Sequence, residues 1–145
     1  MEIYSIGFTQ KSASEFFGAI KSAGIRRLMD VRLNNKSQLA GFTKAADLPY
    51  FLRELCAVDY IHESLLAPTQ VMLDAYKKER GDWADYEKKF LALMAERRIE
   101  TALQPEMFSE PTVLLCSEPT AEQCHRRLVL EYLQKKWGGV IIRHL

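Results

Sequence analysis

Cysteine is scarce in this chain, with 3 among 145 residues. A domain of this length buries a continuous core without covalent staples, so an odd few cysteines do not read as a disulfide framework. Free thiols in a reducing cytoplasm are the expectation. Excess charge of either sign is also lacking: Lys+Arg 20 stands against Asp+Glu 19, net +1. That removes the general electrostatic argument for nucleic-acid binding and leaves only a local basic patch. No basic segment and apolar core precede the first strand-like residues, and no apolar run is long enough to cross a bilayer. Neither a secretory leader nor a membrane partner is therefore expected.

Several familiar chemistries are missing too. There is no Gly-rich loop ending in Lys-Ser or Lys-Thr, no dinucleotide glycine fingerprint after the first strand, and no His-Glu-x-x-His. A phosphate loop of Cys, five residues and Arg starting at Cys116 would need arginine at 122, where Glu122 reverses the charge. Cys116, Cys124, His125 and His62 are of metal-ligand type. Close Cys-x-x-Cys pairs are absent, so neither a resident metal nor another cofactor is expected. No repeat, low-complexity tract or linker divides the chain, which reads as one domain over 1–145.

What is there is an alternation of strands and helices. Ile3-Tyr4-Ser5-Ile6-Gly7-Phe8 reads as a first strand, with Gly7 allowing close approach of another backbone or a ligand. Ser12 and Glu15 have capping-box spacing; Phe16, Phe17 and Ile20 give the helix an apolar face, and Gly24 stops it. A second strand holds Leu28-Met29-Asp30-Val31. A loop over 33–43, a helix from Asp47 through Leu55 and a third strand, Val58-Asp59-Tyr60-Ile61-His62, follow. The stretch from 64 to about 108 reads as a helical insertion, divided at Gly81-Asp82 and carrying Tyr86, Phe90, Leu91 and Met94 at helical spacing. Pro111 to Cys116 gives a fourth strand. Thr120 and Gln123 form a second capping-box pair ahead of a helix with Leu128, Val129, Tyr132, Leu133 and Trp137 inward. Val140-Ile141-Ile142 gives a last strand. The order predicts an α/β fold, a mostly parallel sheet of about five strands with helices on both faces.

Parallel strands end on one side, and polar groups collect at those ends: Gly7 and Thr9, Asp30 and Arg32, His62 and Glu63, Cys116 and Glu118, then Cys124, His125 and Arg126 at the following helix. Cys116 reads either as a nucleophile activated by positive charge and free helix amides, or as a small apolar residue closing a buried strand. Cys124 lies near the buried stripe and reads first as packing. His125 suits proton transfer. Arg126, pointing elsewhere from the helix, suits either a phosphate or carboxylate ligand or an ion pair. Asp30 and Arg32 share a strand face and can orient a substrate or lock the sheet edge. His62 is equally an acid–base group or a histidine bonded to backbone.

These residues carry a resemblance. Ile6-Gly7, Asp30-Val31-Arg32, Gly41-Phe42-Thr43-Lys44, Tyr60-Ile61-His62, Leu114-Leu115-Cys116 through Glu118 to Cys124-His125-Arg126-Arg127, and the final His144-Leu145 are similar to the family named as domain of unknown function number four hundred and eighty-eight. The resemblance implies an α/β domain with Asp30, Arg32, His62, Cys116, Glu118, Cys124, His125 and Arg126 around one sheet edge. Two departures stand out: Gly7-Phe8 where the family commonly has Gly-His, and Ala67-Pro68 where a glycine-rich turn often follows the third strand.

The leading expectation is an intracellular enzyme of hydrolase or transferase type, acting on a small anionic or nucleotide-type substrate at the carboxyl edge. In it Cys116, His125, Asp30 and His62 do the chemistry, and Arg32, Arg126, Glu118, Cys124, Gly7 and Thr9 hold the substrate. The rival is a non-catalytic module binding nucleic acid or a regulatory protein through the same basic edge.

Overall fold

A computed structural model describes residues 1–36 and 41–145. The expected α/β architecture is present. Five strands, β1 (Glu2–Gly7), β2 (Arg27–Asp30), β3 (Asp59–His62), β4 (Thr112–Cys116) and β5 (Ile141–His144), form one sheet in the order β3-β2-β4-β1-β5. Every pairing is parallel. The helices are α1 (Ala13–Ser22), α2 (Leu48–Cys56), α3 (Gln70–Lys77), α4 (Trp83–Glu96), α5 (Ile99–Ala102) and α6 (His125–Trp137). Among the described residues no helix is long and apolar enough to cross a membrane.

The strand order explains the layers. The connections after β1 and β2 step one way across the sheet, and those after β3 and β4 step the other way. A constant crossover hand must then put their helices on opposite faces. Phe16, Phe17 and Ile20 of α1 and Leu48 and Leu52 of α2 pack with Ile6, Leu28, Val113 and Leu115 on one face. Phe90 and Met94 of α4, Ile99 of α5 and Leu128 to Leu130 of α6 pack with Ile3, Met29, Leu114 and Cys116 on the other. Alternation along β4 thus turns Cys116 towards α4 and α6. The chain leaves the adjacent ends of β2 and β4 in opposite directions, which opens a crevice there, where ligands of open α/β sheets bind.

Local signals explain most boundaries. Ser12 and Glu15 form the expected capping box on α1, and Gly24 beyond its end has φ +70°. Pro49 lies in the first turn of α2, where it removes no helical bond, and Asp47 occupies the N-cap position without a side-chain cap bond. The insertion between β3 and β4 is helical as expected, comprising α3, α4 and α5. The loop over 33–43 includes residues 37–40, which lie outside the described residues, and 41–43 form a short 3-10 turn.

Several boundaries differ from expectation: β2 is shifted back by one residue, β3 and β4 each begin one residue later, and β5 begins at Ile141 and extends to His144. The first strand ends at Gly7, one residue before Phe8. The Thr120–Gln123 box does not start the last helix: Cys124 is its N-cap, extended at φ −137°, ψ 139°, with no side-chain cap bond. The reason is tertiary. Arg126 donates from Nη1 to the Glu118 carbonyl at 2.8 Å, tying down the segment before the helix as a loop.

Gly7 is where sheet and loop meet. A Cβ built on it would stand 1.6 Å from the Glu118 carbonyl oxygen and 2.9 Å from Arg126 Nη1. Gly18, on the exposed side of α1, has nothing within 4 Å of such an atom. Gly7→Ala is expected to lower stability by roughly 1–3 kcal/mol through overpacking. Gly18→Ala is expected to raise it by roughly 0.5–1 kcal/mol through helix propensity. Urea midpoints of the two variants check this; equal shifts of one sign would contradict the proposed contact.

Candidate functional site

A cavity of about 300 Å³ occupies the crevice between the ends of β2 and β4. Cys116, Cys124 and His125 line it from the sheet side. Tyr76 of α3 and Trp83 and Tyr86 of α4 face them, and Arg32, Lys77 and Glu118 also contribute. The aromatic wall is continuous: Tyr76 and Tyr86 centroids are 5.0 Å apart, and Trp83 stacks on Tyr86 at 5.3 Å. Lys77 Nζ reaches Glu118 Oε1 at 2.6 Å, and Tyr76 donates its hydroxyl to Gln123 Oε1 at 3.1 Å. These two bonds join α3 to the loop after β4.

His125 is oriented from both sides. Its Nε2–H donates to the Val31 carbonyl at 2.7 Å, leaving Nδ1 3.5 Å from Cys116 Sγ. Phe90 rests against the ring at a centroid distance of 5.4 Å. Because a carbonyl only accepts, Nε2 keeps its proton. Nδ1 is then the ring nitrogen that faces the thiol.

Arg126, next in sequence, points away beneath the 117–118 turn, as adjacent helical residues must. It is fully buried. Its Nε donates to Ser5 Oγ at 3.1 Å, and its Nη1 bonds the Glu118 carbonyl and lies 3.6 Å from Cys124 Sγ. Among the described residues no carboxylate pairs with it. A buried cation without an anion is costly, so the neighbouring sulfurs matter.

The two thiols respond in opposite ways. Burial pushes the Cys116 thiol up. A hydrogen bond from Cys124, the Arg126 charge and the amides of Ser117 and Glu118 outweigh it, so Cys116 titrates below an ordinary thiol. Cys124 is driven far up, first by burial and then by its bond and proximity to the Cys116 sulfur. Cys116 is therefore the more acidic thiol of the pair and Cys124 the less acidic. Cys116 Sγ, Cys124 Sγ and His125 Nδ1 lie within 4.8 Å of one another, a donor set that suits a soft cation such as zinc.

The other sequence-selected residues hold the frame. Asp30 and Arg32 form a buried bidentate pair at 2.9 and 2.8 Å, and Arg32 also donates to the Thr43 carbonyl at 2.6 Å. Tyr60 donates to Asp30 Oδ2 at 2.7 Å, and His62 Nε2 donates to the Arg32 carbonyl at 2.9 Å. Burial and then Asp30 push the Tyr60 hydroxyl far up, which keeps it a donor. Thr9 donates from its backbone N and its hydroxyl to the Ser117 carbonyl, and Gly7 leaves room for Glu118. Cys116, Glu118, Cys124, His125 and Arg32 thus meet at the cavity. Asp30, His62, Gly7, Thr9 and Arg126 support it from outside its lining. Phe8 lies in the layer under α1 and α2, with the Arg32 guanidinium 5.3 Å from its ring.

Sequence reasoning missed the aromatic wall and a buried relay. Tyr86 reads from its spacing as part of an apolar helix face, and Tyr76 and Trp83 are not singled out; the polar tips of the three, close together in the one long insertion, are the available signal. Ser5 accepts from Arg126 and so turns its own proton to His144 Nδ1 at 2.5 Å. Burial, Arg126 and Arg127 lower His144 in turn, consistent with a neutral, accepting ring. A serine inside a central apolar strand was the signal for that relay.

No curated protein and no solved structure matches the chain. The family model described as Domain of unknown function DUF488 matches residues 12–133, which include β2, α3, α4, β4 and the Cys-His-Arg start of α6, and the chain belongs to that family.

Proposed function

We propose that the protein is a cysteine-dependent enzyme, of hydrolase or transferase type, that forms a covalent intermediate at Cys116 with a small nucleotide-type or similarly ring-bearing anionic substrate. One observation carries the reading: a thiol with a carbonyl-oriented imidazole 3.5 Å away opens onto a cavity of about 300 Å³ at the sheet's switch point.

In this mechanism Cys116 attacks an electrophilic carbon of the substrate. His125 Nδ1 takes the thiol proton and returns it to the leaving group, while Val31 O stabilises the imidazolium through Nε2–H. The amides of Ser117 and Glu118, which hold the thiolate, face the charge that develops on the substrate during attack. Water or an acceptor then releases the acyl or glycosyl fragment from sulfur. The aromatic wall suits a planar ring, and Lys77, where its ion pair with Glu118 opens, suits an anionic group. Asp30, Arg32, Tyr60 and His62 act as positioning residues that fix the β2 edge. Arg32 and Arg126 are 3% and 0% exposed, which argues against a phosphate-binding surface built on them and so against the nucleic-acid module.

Alkylation by iodoacetamide, followed residue by residue with mass spectrometry, tests the nucleophile. Cys116 is expected to label with a midpoint below that of an ordinary thiol, about 8.5. Cys56, which burial pushes up, serves as the internal reference and should label with a higher midpoint. In Arg126→Gln the Cys116 midpoint should rise by roughly 1 or more in pH, because removal of the positive charge disfavours the thiolate; Arg126→Lys should restore part of it. An ordinary Cys116 profile, or zinc bound one-to-one in protein purified without chelator, would contradict the free-nucleophile reading.

Ligand class is tested by fluorescence. Trp83 lines the cavity, whereas Trp137 lies against Phe108 at the end of α6. Nucleoside monophosphates are expected to quench the emission saturably, and Trp83→Phe should abolish the change while Trp137→Phe keeps it. Quenching that survives Trp83→Phe, or none with any nucleotide, would remove the nucleotide-type assignment.

A further inference from the structure

The second thiol neither attacks nor moves a proton in the chemistry above, yet its sulfur lies within 4.8 Å of the first. We propose that Cys116 and Cys124 form a peroxide-reducing dithiol–disulfide couple, with Cys116 the attacking and Cys124 the resolving sulfur. This rests on Cys116 being the reactive thiol at the cavity.

The geometry supplies each part. The two sulfurs lie within 4.8 Å of each other, and both face the cavity. Cys124 is the N-cap of α6 but makes no side-chain cap bond, so a new bond to its sulfur removes no cap. Its sulfur lies 3.6 Å from Arg126 Nη1, which keeps positive charge beside the pair throughout the exchange. The cavity admits a small hydroperoxide to Cys116. The third cysteine cannot compete: Cys56 packs on the opposite face of the sheet, where its thiol donates to the Phe17 carbonyl at 3.7 Å.

The steps balance. The Cys116 thiolate attacks the distal oxygen of a hydroperoxide; an S–O bond forms, the O–O bond breaks, and an alcohol or water leaves after taking up one proton. Cys116 is now a sulfenic acid. The Cys124 sulfur attacks Cys116 Sγ; the S–S bond forms, the S–O bond breaks, and water leaves with the Cys124 proton. Two electrons have passed from the sulfurs to the peroxide, and an added dithiol returns them. In the oxidised state Cys116 is unavailable for substrate, so the couple also switches off the proposed enzyme.

The test uses the full reduced chain with two equivalents of hydrogen peroxide, enough to carry a lone thiol to sulfinic acid, then blocking with N-ethylmaleimide in denaturant and intact-mass measurement. The expected product is two hydrogens lighter than the reduced chain and carries a single maleimide, on Cys56. Cleavage after Glu122, which lies between the two cysteines, should leave the Cys116 and Cys124 peptides joined, and dithiothreitol should restore three maleimides. Cys124→Ala and Cys124→Ser should instead carry Cys116 on to sulfinic acid. Wild-type protein that forms sulfinic acid at Cys116 while Cys124 still takes maleimide would overturn the couple and leave the nucleophile intact. A Cys116 that neither oxidises faster than Cys56 nor alkylates at low pH would remove both.

Discussion

The buried Arg126 guanidinium is the interaction on which the rest of the site depends. It is the largest fully buried side chain, and it spans three elements: Ser5 in β1, the Glu118 carbonyl after β4, and the Cys124 sulfur at the start of α6. Neutral partners alone leave its desolvation poorly offset, and the cost of an uncompensated buried ion is several kcal/mol. A thiolate formed at Cys116 supplies the missing negative charge, and a buried thiolate in turn needs a cation, which Arg126 offers. Charge balance inside the fold and the acidity of this thiol are therefore one problem with one solution.

Topology decides where this solution becomes useful. The β2–β4 boundary is where the chain leaves adjacent strand ends in opposite directions. The resulting crevice receives Cys116 from the centre of the sheet and Val31 and Arg32 from its neighbour. Val31 contributes only its carbonyl, but that carbonyl fixes which nitrogen of His125 faces the sulfur. The insertion between β3 and β4 then closes the far side with Tyr76, Trp83 and Tyr86. Strands thus carry the thiol and the carbonyl that orients His125, and helices of the insertion carry the aromatic rings opposite them.

Much of this was legible in the sequence, for identifiable reasons. Apolar runs and capping residues give the strands and α1 because those signals are local: Ser12 and Glu15 each bond the other's backbone within one turn. The site's location followed from a general property of parallel sheets, that strand ends converge, together with Cys116 at one such end. The start of α6 was not legible. A local capping pair at Thr120 and Gln123 lost to a tertiary bond from Arg126, and no local rule contains that bond. The choice between substrate contact and ion pair for Asp30 and Arg32 was likewise open, because the Thr43 carbonyl and the Tyr60 hydroxyl that complete their network come from other segments. The strand order itself depends on which crossovers pass over which strands, and hydrophobic patterning does not encode that.

The central claim is that the fold makes the Cys116 thiol more acidic than an ordinary thiol. Ultraviolet absorbance of the thiolate, titrated with pH in native protein and again in urea, measures this directly without substrate or reagent. One thiol is expected to ionise in the native chain below its midpoint in the unfolded chain, where thiols return to about 8.5. Native and unfolded chains that ionise together near the ordinary thiol value would contradict it.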